Sequence, residues 1–296
     1  MVRLGHLKLL KSVGPRVREY RRTLRLLKTM PLSLMGLGIT IAIIFVAIFG
    51  PFFAPYDPLR IEYGERLLHP SSRYLLGTDS LGRDILSRII YATGVSMSIG
   101  VMVVVVSVAT GTVLGLIAGY LGGKVDNVIM RVTDIFLAFP GLVLAMSFAA
   151  AMKPSLGATT LALSIVGWPT FARIVKGSVL SIKGLDFVEA ARADGESEFS
   201  IVFNHILPNV LSPILVQGTL GLGRAIMLAS TLGFIGLGVQ PPTAEWGAMT
   251  ADGRDFILNQ WWVSTFPGLA IFFAVMAFNL LGDGLRDALD PRLRYR

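Results

Sequence analysis

Residues 184–208 of this chain read GLDFVEAARADGESEFSIVFNHILP, a segment rich in charge. Two apolar segments flank it, Leu156 to Ala172 and Asn209 to Gly238, and each has roughly the length that a helix needs to cross a bilayer. A charged loop between two membrane spans is either a connector that lies on the lipid surface or a structure that reaches a partner in the water. The flanking segments therefore indicate the fold class, and the loop poses the functional question.

The composition indicates a polytopic membrane protein. Hydrophobic residues make up 53% of the 296 residues, charged residues make up only 16%, and the mean hydropathy is +0.66. That is more apolar surface than a soluble core of this length can bury. The chain has no cysteine, which excludes a disulfide framework and any metal site built on thiolates.

Six segments with little or no charge predict six transmembrane helices, and hence an all-α membrane protein. The predicted spans are Leu34 to Ala54, Thr93 to Tyr120, Ile135 to Met152, Leu156 to Ala172, Asn209 to Gly238 and Val263 to Leu281. We divide the chain into two parts. Residues 1–90 hold a basic tail, the first span and a large loop, and residues 91–296 hold a five-helix core with the charged loop at about 184–208 and a second tail.

The distribution of basic residues predicts the orientation. With both termini in the cytoplasm, the cytoplasmic segments carry 19 of the 27 Lys and Arg residues and the opposite side carries seven. Cytoplasmic loops are enriched in Lys and Arg, so this orientation is favoured and places residues 184–208 in the cytoplasm. Nine of the basic residues lie between Arg3 and Lys28. A basic tail beside a span is typical of an anchor to membrane lipid, so the net charge of +8 does not indicate nucleic acid.

The charged loop itself predicts two short helices joined by an elbow. The first is predicted from Leu185 to Asp194, with Asp186 near the positive end of the helix dipole. Gly195 can take the left-handed backbone that ends a helix, so a second helix from Ser197 to about His205 can leave at an angle. Pro208 suits the first turn of the next span, where its missing N–H costs nothing. Such a unit can seat in a groove of a soluble partner, and the alternative is an amphipathic connector on the bilayer.

The loop carries Glu189-Ala190-Ala191, then Gly195, and it ends in His205-Ile206-Leu207-Pro208-Asn209. This pattern resembles the loop by which the membrane subunits of ATP-binding-cassette importers grip their ATPases, in the dipeptide, oligopeptide and nickel branch. Three other parts of the chain are similar to the same branch: Leu76-Gly77-Thr78-Asp79 with Leu81-Gly82-Arg83-Asp84 and Ser87-Arg88; Gly236 to Pro242 with Glu245-Trp246-Gly247-Ala248-Met249; and Phe266-Pro267-Gly268 with Asn279 to Pro291. The large loop after the first span makes the chain similar to the second, or C-type, membrane subunit.

This resemblance implies a type I ABC importer permease fold and a membrane subunit that hydrolyses no ATP itself and needs no cofactor. The partners that it implies are a homologous second permease subunit, two ABC ATPase subunits and an extracytoplasmic solute-binding protein, in the cell inner membrane. The transported solute is then a peptide or a similarly small molecule. The residues that the resemblance assigns to ATPase coupling are Glu189, Ala190, Ala191, Gly195, Ile206, Leu207 and Pro208.

Two predicted spans contain residues for which the sequence suggests a specific role. Arg224 lies inside the fifth span, where a charge costs about 2.5 kcal/mol or more, so such a residue faces protein or water. Either Arg224 lines a translocation pathway and meets a peptide carboxylate or another anion, or it pairs with a polar group of a neighbouring subunit. Ala229 stands where the resemblance leads us to expect a glutamate. In the second span, three glycines recur every four residues and favour close helix packing: Gly111, Gly115 and Gly119.

Two other classes of membrane protein fit the sequence less well. A secondary carrier usually has more spans, internal repeats and several ionisable groups at mid-membrane, where this chain has only Arg224 as a clear instance. An intramembrane protease needs a paired catalytic constellation, and Asp283 at the end of the last span has no matching partner. A metal site gains no support from the three histidines, which lie in different segments: His6, His69 and His205.

Overall fold

The computed structural model describes residues 30–289, and the regular structure within them is helical. The helices in chain order are α1 (Pro31–Phe53), α2 (Ile85–Leu121), α3 (Gly123–Ala138), α4 (Gly141–Ala150), α5 (Leu156–Ile182), α6 (Asp186–Ala193), α7 (Glu198–Ser200), α8 (Leu207–Phe234), α9 (Trp246–Asp252) and α10 (Trp262–Leu289). A wide π turn at Ile201–Ile206 joins α7 to α8, and 3₁₀ turns lie at Tyr63–Glu65 and Arg254–Phe256. The predicted basic tail and the Asp290-Pro291 end of the last motif lie outside the described residues.

Within residues 30–289, five helices are long and apolar enough to cross a membrane. They are α1, α2, α5, α10 and the continuous helix Glu198–Phe234 that contains α7, the π turn and α8. A sixth crossing results if the bent pair of α3 and α4 is one span. These segments correspond to the six predicted spans, and the all-α fold class is confirmed.

The third span differs from the prediction of one helix over Ile135 to Met152. α3 and α4 meet at an angle of 92°. The break lies at Phe139 and Pro140, and Phe139 has the extended backbone that a following proline favours (φ −91°, ψ 145°). Hydropathy does not reveal this bend, because the residues next to the break, 135–139 and 141–146, are uncharged and mostly apolar on both sides.

α5 extends to Ile182, ten residues beyond the predicted end at Ala172. The prediction stopped there because two basic residues follow, and a charge is costly in lipid. The structure pairs both with carboxylates of α3: Arg173 with Asp134, and Lys176 with Asp126. The helix continues past both charges, and each of them has an opposite charge on the neighbouring helix.

α2 and α5 pack closely along the three predicted glycines. A Cβ on Gly115 would lie 2.6 Å from the carbonyl oxygen of Ala172 and 2.7 Å from the Cβ of Val175. At Gly111 and Gly119 an added Cβ would lie 2.5 and 2.8 Å from a side chain of α5. Only residues without a Cβ allow two helix backbones to approach this closely. The packing role predicted for these glycines is confirmed.

The segment between α1 and α2 folds over the end of α2 that is farthest from residues 184–208. Its buried charged residues are Asp79, Arg83 and Asp84, and Arg88 in the first turn of α2 lies 3.4 Å from Asp79; each of the four is at most 5% exposed. Arg83 Nε donates to Asp79 Oδ2 at 2.6 Å, and Arg83 Nη2 lies 3.5 Å from Asp252 at the end of α9. The motif that begins at Leu76 is therefore a buried ion network that joins this segment to α9, a role that sequence analysis did not predict.

Candidate functional site

Residues 184–208, called the elbow loop below, contain the two predicted short helices in modified form. The first, α6, spans Asp186–Ala193 and is one residue shorter at each end than predicted. Asp186 and Glu189 lie in its first turn, where the helix dipole favours carboxylates. The second was predicted to stand apart over Ser197 to His205. Instead it is the start of the continuous helix Glu198–Phe234, so the elbow loop leads into the span without a break.

Gly195 ends α6 with the backbone that the sequence predicts, at a φ of +80°. Gly195 N donates to Arg192 O at 3.1 Å, and Glu196 N donates to Ala191 O at 3.1 Å. This is the Schellman pairing, which satisfies carbonyls at the end of a helix and requires a left-handed residue. A Cβ on Gly195 would meet nothing within 4 Å. Glycine is therefore required by the backbone conformation and not by a lack of space.

Pro208 lies in the first turn of α8, as predicted. Because proline has no N–H, it cannot donate to the carbonyl of Asn204, four residues before it. The turn that precedes it is correspondingly wide, since Leu207 N donates to Val202 O, five residues before. The π turn thus accommodates the proline while the helix continues.

One face of the elbow loop is buried against the ends of the membrane helices. Val188 and Ala191 of α6 pack with Ile201 and Ile206 of the second helix, and all four are at most 5% exposed. Residues of α2, α5 and α8 complete this cluster: Leu116, Val175, Val179, Val210 and Ile214. Ala191 and Ile206, which the sequence resemblance assigned to ATPase coupling, therefore hold the loop in place and offer little surface to a partner.

The opposite face of the elbow loop is exposed and carries aromatic side chains. Phe199 is 72% exposed, and its ring centroid lies 4.3 Å from that of Phe203, while Phe187 is 41% exposed. Exposed apolar side chains that cluster in a charged loop are typical of a contact surface for another protein. The remaining predicted residues divide between exposed and half-buried positions: Glu189, Ala190 and Gly195 are exposed, and Leu207 and Pro208 are half-buried. Sequence analysis did not assign Phe199 and Phe203 to the contact surface. Aromatic residues in a segment so rich in charge could have indicated it.

Four of the polar side chains on the exposed face form two pairs within the loop. Arg192 Nη1 donates to Glu189 Oε1 at 3.0 Å, and His205 Nε2 lies 3.1 Å from Glu196 Oε1. A hydrogen bond from the Ser200 hydroxyl, and then one from the His205 ring, lower the pKa of Glu196 below its usual range. Glu196 is therefore ionised at neutral pH. Because these groups are exposed, their pairs contribute little to stability and serve mainly to shape the surface.

A second candidate feature is a cavity of about 160 Å³ between α2, α3, α5 and α8. Arg224 lines it beside the polar side chains of Gln217 and Thr170. Among residues 30–289, Arg224 takes part in none of the ion pairs or side-chain hydrogen bonds. Its Nη2 lies 3.7 Å from the place where a Cβ on Gly141 would stand, at the start of α4. The cavity therefore combines a guanidinium that has no charged partner among residues 30–289, the amino end of a helix and an apolar wall.

Comparison with known families matches two parts of the sequence. The family described as "Binding-protein-dependent transport system inner membrane component" matches residues 111–295. The family described as "N-terminal TM domain of oligopeptide transport permease C" matches residues 20–70. The first match covers more than half of the chain, and it contains both the elbow loop and Arg224.

Individual proteins are similar over almost the whole chain. The probable D,D-dipeptide transport system permease protein DdpC of Escherichia coli (strain K12) is 45% identical over 90% of this chain and 90% of its own length. The dipeptide transport system permease protein DppC of Alkalihalophilus pseudofirmus is 44% identical over 94% of this chain and 91% of its own. Among solved structures, a chain of the MetNI methionine ABC transporter in inward-facing conformations shares the fold, with a TM-score of 0.55 and 18% identity over 69% of this chain and 97% of that one.

Proposed function

We propose a function from one premise: this chain belongs to the family of binding-protein-dependent transport system inner membrane components. It is a multi-pass membrane permease with the type I importer fold. We infer that it forms part of the translocation path of an ATP-binding-cassette importer in the cell inner membrane. The solutes that we assign to it are peptides or similarly small molecules, because the similar proteins are named for dipeptide transport.

The observation that carries this proposal is the two-faced elbow loop. Its buried face is fixed to the ends of α2, α5 and α8, and its exposed face presents Phe187, Phe199 and Phe203. Aromatic side chains of this kind act as anchors in protein interfaces. A soluble partner that grips the exposed face therefore moves the membrane helices with it. The full sequence contains no phosphate-binding loop, so we assign ATP binding and hydrolysis to two partner ATPases.

We infer an alternating-access cycle from this arrangement. ATP binding closes the two ATPases, and their grooves carry together the elbow loops of this chain and of a homologous second permease subunit. The helices then rock, so that the path opens towards an extracytoplasmic binding protein that delivers the solute, and hydrolysis resets the cycle. The distribution of Lys and Arg supports an orientation with both termini and the elbow loop in the cytoplasm.

Reconstitution tests this proposal against a secondary carrier. The chain is purified with its second permease subunit and ATPases, placed in liposomes and supplied with the binding protein and a dipeptide. We expect dipeptide uptake that requires ATP, and ATP hydrolysis that rises when the loaded binding protein is added. Uptake driven by an ion gradient without ATP or the ATPases would refute the importer assignment.

We assign Arg224 to the translocation path, where its charge meets the carboxylate of a peptide. The alternative is a structural pair with a polar group on the second permease subunit. The position of Arg224 in a cavity, with Gln217 and Thr170 but no charged partner in the described residues, supports the first interpretation. A lone guanidinium at this depth is costly unless water or a ligand meets it.

Replacement of Arg224 separates the two interpretations. We expect Arg224→Ala to lower transport of a dipeptide about 10-fold, which is the typical worth of a hydrogen bond to a charged group, and to spare the corresponding dipeptide amide. Arg224→Lys keeps the charge and serves as the matched control. Equal loss for both solutes, or a complex that no longer assembles, would support the structural pair.

A further inference from the structure

One turn of α5 contacts three other parts of the molecule. Val175 and Val179 are fully buried, and they pack against the glycines of α2 and within the cluster that buries the elbow loop. Lys176 lies between them in sequence and reaches α3 instead, where its Nζ lies 2.6 Å from Asp126 Oδ1. A movement of the elbow loop therefore acts on the same turn of α5 that is linked to α3.

α3 is attached to α5 at both of its ends. Near its start, the Lys176–Asp126 pair is partly buried, with each side chain only 22% exposed. Near its end, the rings of Phe136 and Trp168 lie 5.6 Å apart with one edge towards the other. The opposite side of α3 presents exposed apolar residues, among them Val125, Val128 and Val132. The attachment to α5 is thus a main determinant of where α3 lies.

The end of α3 forms a wall of the Arg224 cavity. Phe136, Leu137 and Phe139 line that cavity, and the 92° bend to α4 follows at once. The wall lies ten residues beyond Asp126, which is about 15 Å along the helix axis. Because a helix of this length is stiff, a shift of its first turn also moves the wall. Residues of α3 therefore connect the Lys176 pair with the cavity by a continuous rigid element.

We propose that Lys176 and Asp126 are positioning residues that transmit the movement of the elbow loop to the wall of the Arg224 cavity. The proposal rests on the proposed function, since an ATPase must move the loop. Reversing one of the two charges places like charges together in a partly buried site, which drives α3 away from α5. The exposed Arg173–Asp134 pair cannot compensate, because exposed pairs are weak and screened by salt.

The test measures the number of dipeptide molecules transported per ATP hydrolysed in the reconstituted complex. We expect Lys176→Glu and Asp126→Lys each to lower this ratio at least about 5-fold, the lower end of typical coupling between two sites. The double variant Lys176→Glu/Asp126→Lys restores opposite charges, and we expect it to recover most of the wild-type ratio. A purely structural role predicts loss of assembled complex and not a selective change in this ratio.

Arg173→Glu is the matched control, because it reverses a charge three residues away in the exposed pair, and we expect less than about a twofold change. Single reversals that keep the wild-type ratio would overturn the proposal, as would an assembled double variant that does not recover. A wild-type complex without ATP-driven uptake would instead refute the proposed function.

A second design covers charge reversals that prevent assembly. The chain has no cysteine, so Asp126→Cys/Lys176→Cys can be joined by a bifunctional thiol reagent. We expect a low ratio before cross-linking and recovery after it. A ratio that the cross-link leaves unchanged would overturn the proposal.

Discussion

At the scale of single residues, a side chain added at Gly195 is expected to disturb the elbow loop. Its φ of +80° is strained for any residue with a Cβ, by about 1–2 kcal/mol, and more for a β-branched one. We expect Gly195→Val to break the Schellman pairing, turn α6 away from its place and uncouple ATP hydrolysis from transport. Asparagine tolerates the left-handed region, so Gly195→Asn should retain more transport than Gly195→Val.

Gly184→Ala is the control for this residue. Gly184 lies in the same loop without a left-handed backbone, and an added Cβ would meet nothing within 4 Å. We expect it to leave transport and binding-protein-stimulated ATP hydrolysis unchanged. Wild-type values of both quantities in the Gly195→Val complex would show that the elbow loop is a passive connector.

At the scale of the elements, α2 and α5 pack closely along Gly111, Gly115 and Gly119. A Cβ on Gly115 meets a backbone carbonyl at 2.6 Å, so Gly115→Ala must push the two helices apart, at about 1–3 kcal/mol. We expect a lower thermal midpoint of the purified complex. Gly177→Ala on the exposed side of α5 has open space around it and should be neutral or slightly stabilising. Equal midpoints for the two variants would contradict the close packing.

The same elements show what the sequence could and could not predict. Helix positions followed from hydropathy, and the end of α6 followed from Gly195, because both are local properties of the chain. The continuation of α5 through Lys176 was missed, because a charged residue suggests the end of a span and its partner Asp126 is 50 residues away in sequence. The bend at Phe139 was missed although Pro140 is a local signal for it, because hydropathy does not register a proline. The burial of Ala191 was missed because it depends on how the neighbouring helices pack.

At the scale of the whole molecule, the orientation in the membrane is open to direct measurement. Ser72 and Ala193 are exposed at opposite ends of the bundle. In intact cells we expect Ser72→Cys to react with a membrane-impermeant thiol reagent and Ala193→Cys to react only after the cells are opened. The absence of native cysteines makes the background low. Labelling of Ala193→Cys from outside would reverse the orientation and remove the elbow loop from the ATP pool.

The continuous helix from Glu198 to Phe234 joins the elbow loop to the Arg224 cavity, so a tilt of this helix has different effects at its two ends. Phe199 lies at one end of it, and Arg224 lies 25 residues further on, which is about 37 Å along the axis. A tilt of that helix by about 5° around Phe199 would move Arg224 sideways by about 3 Å, given the length of about 37 Å. That is about the length of one hydrogen bond, so a rotation that barely moves Phe199 is large enough to make or break a contact between Arg224 and a carboxylate.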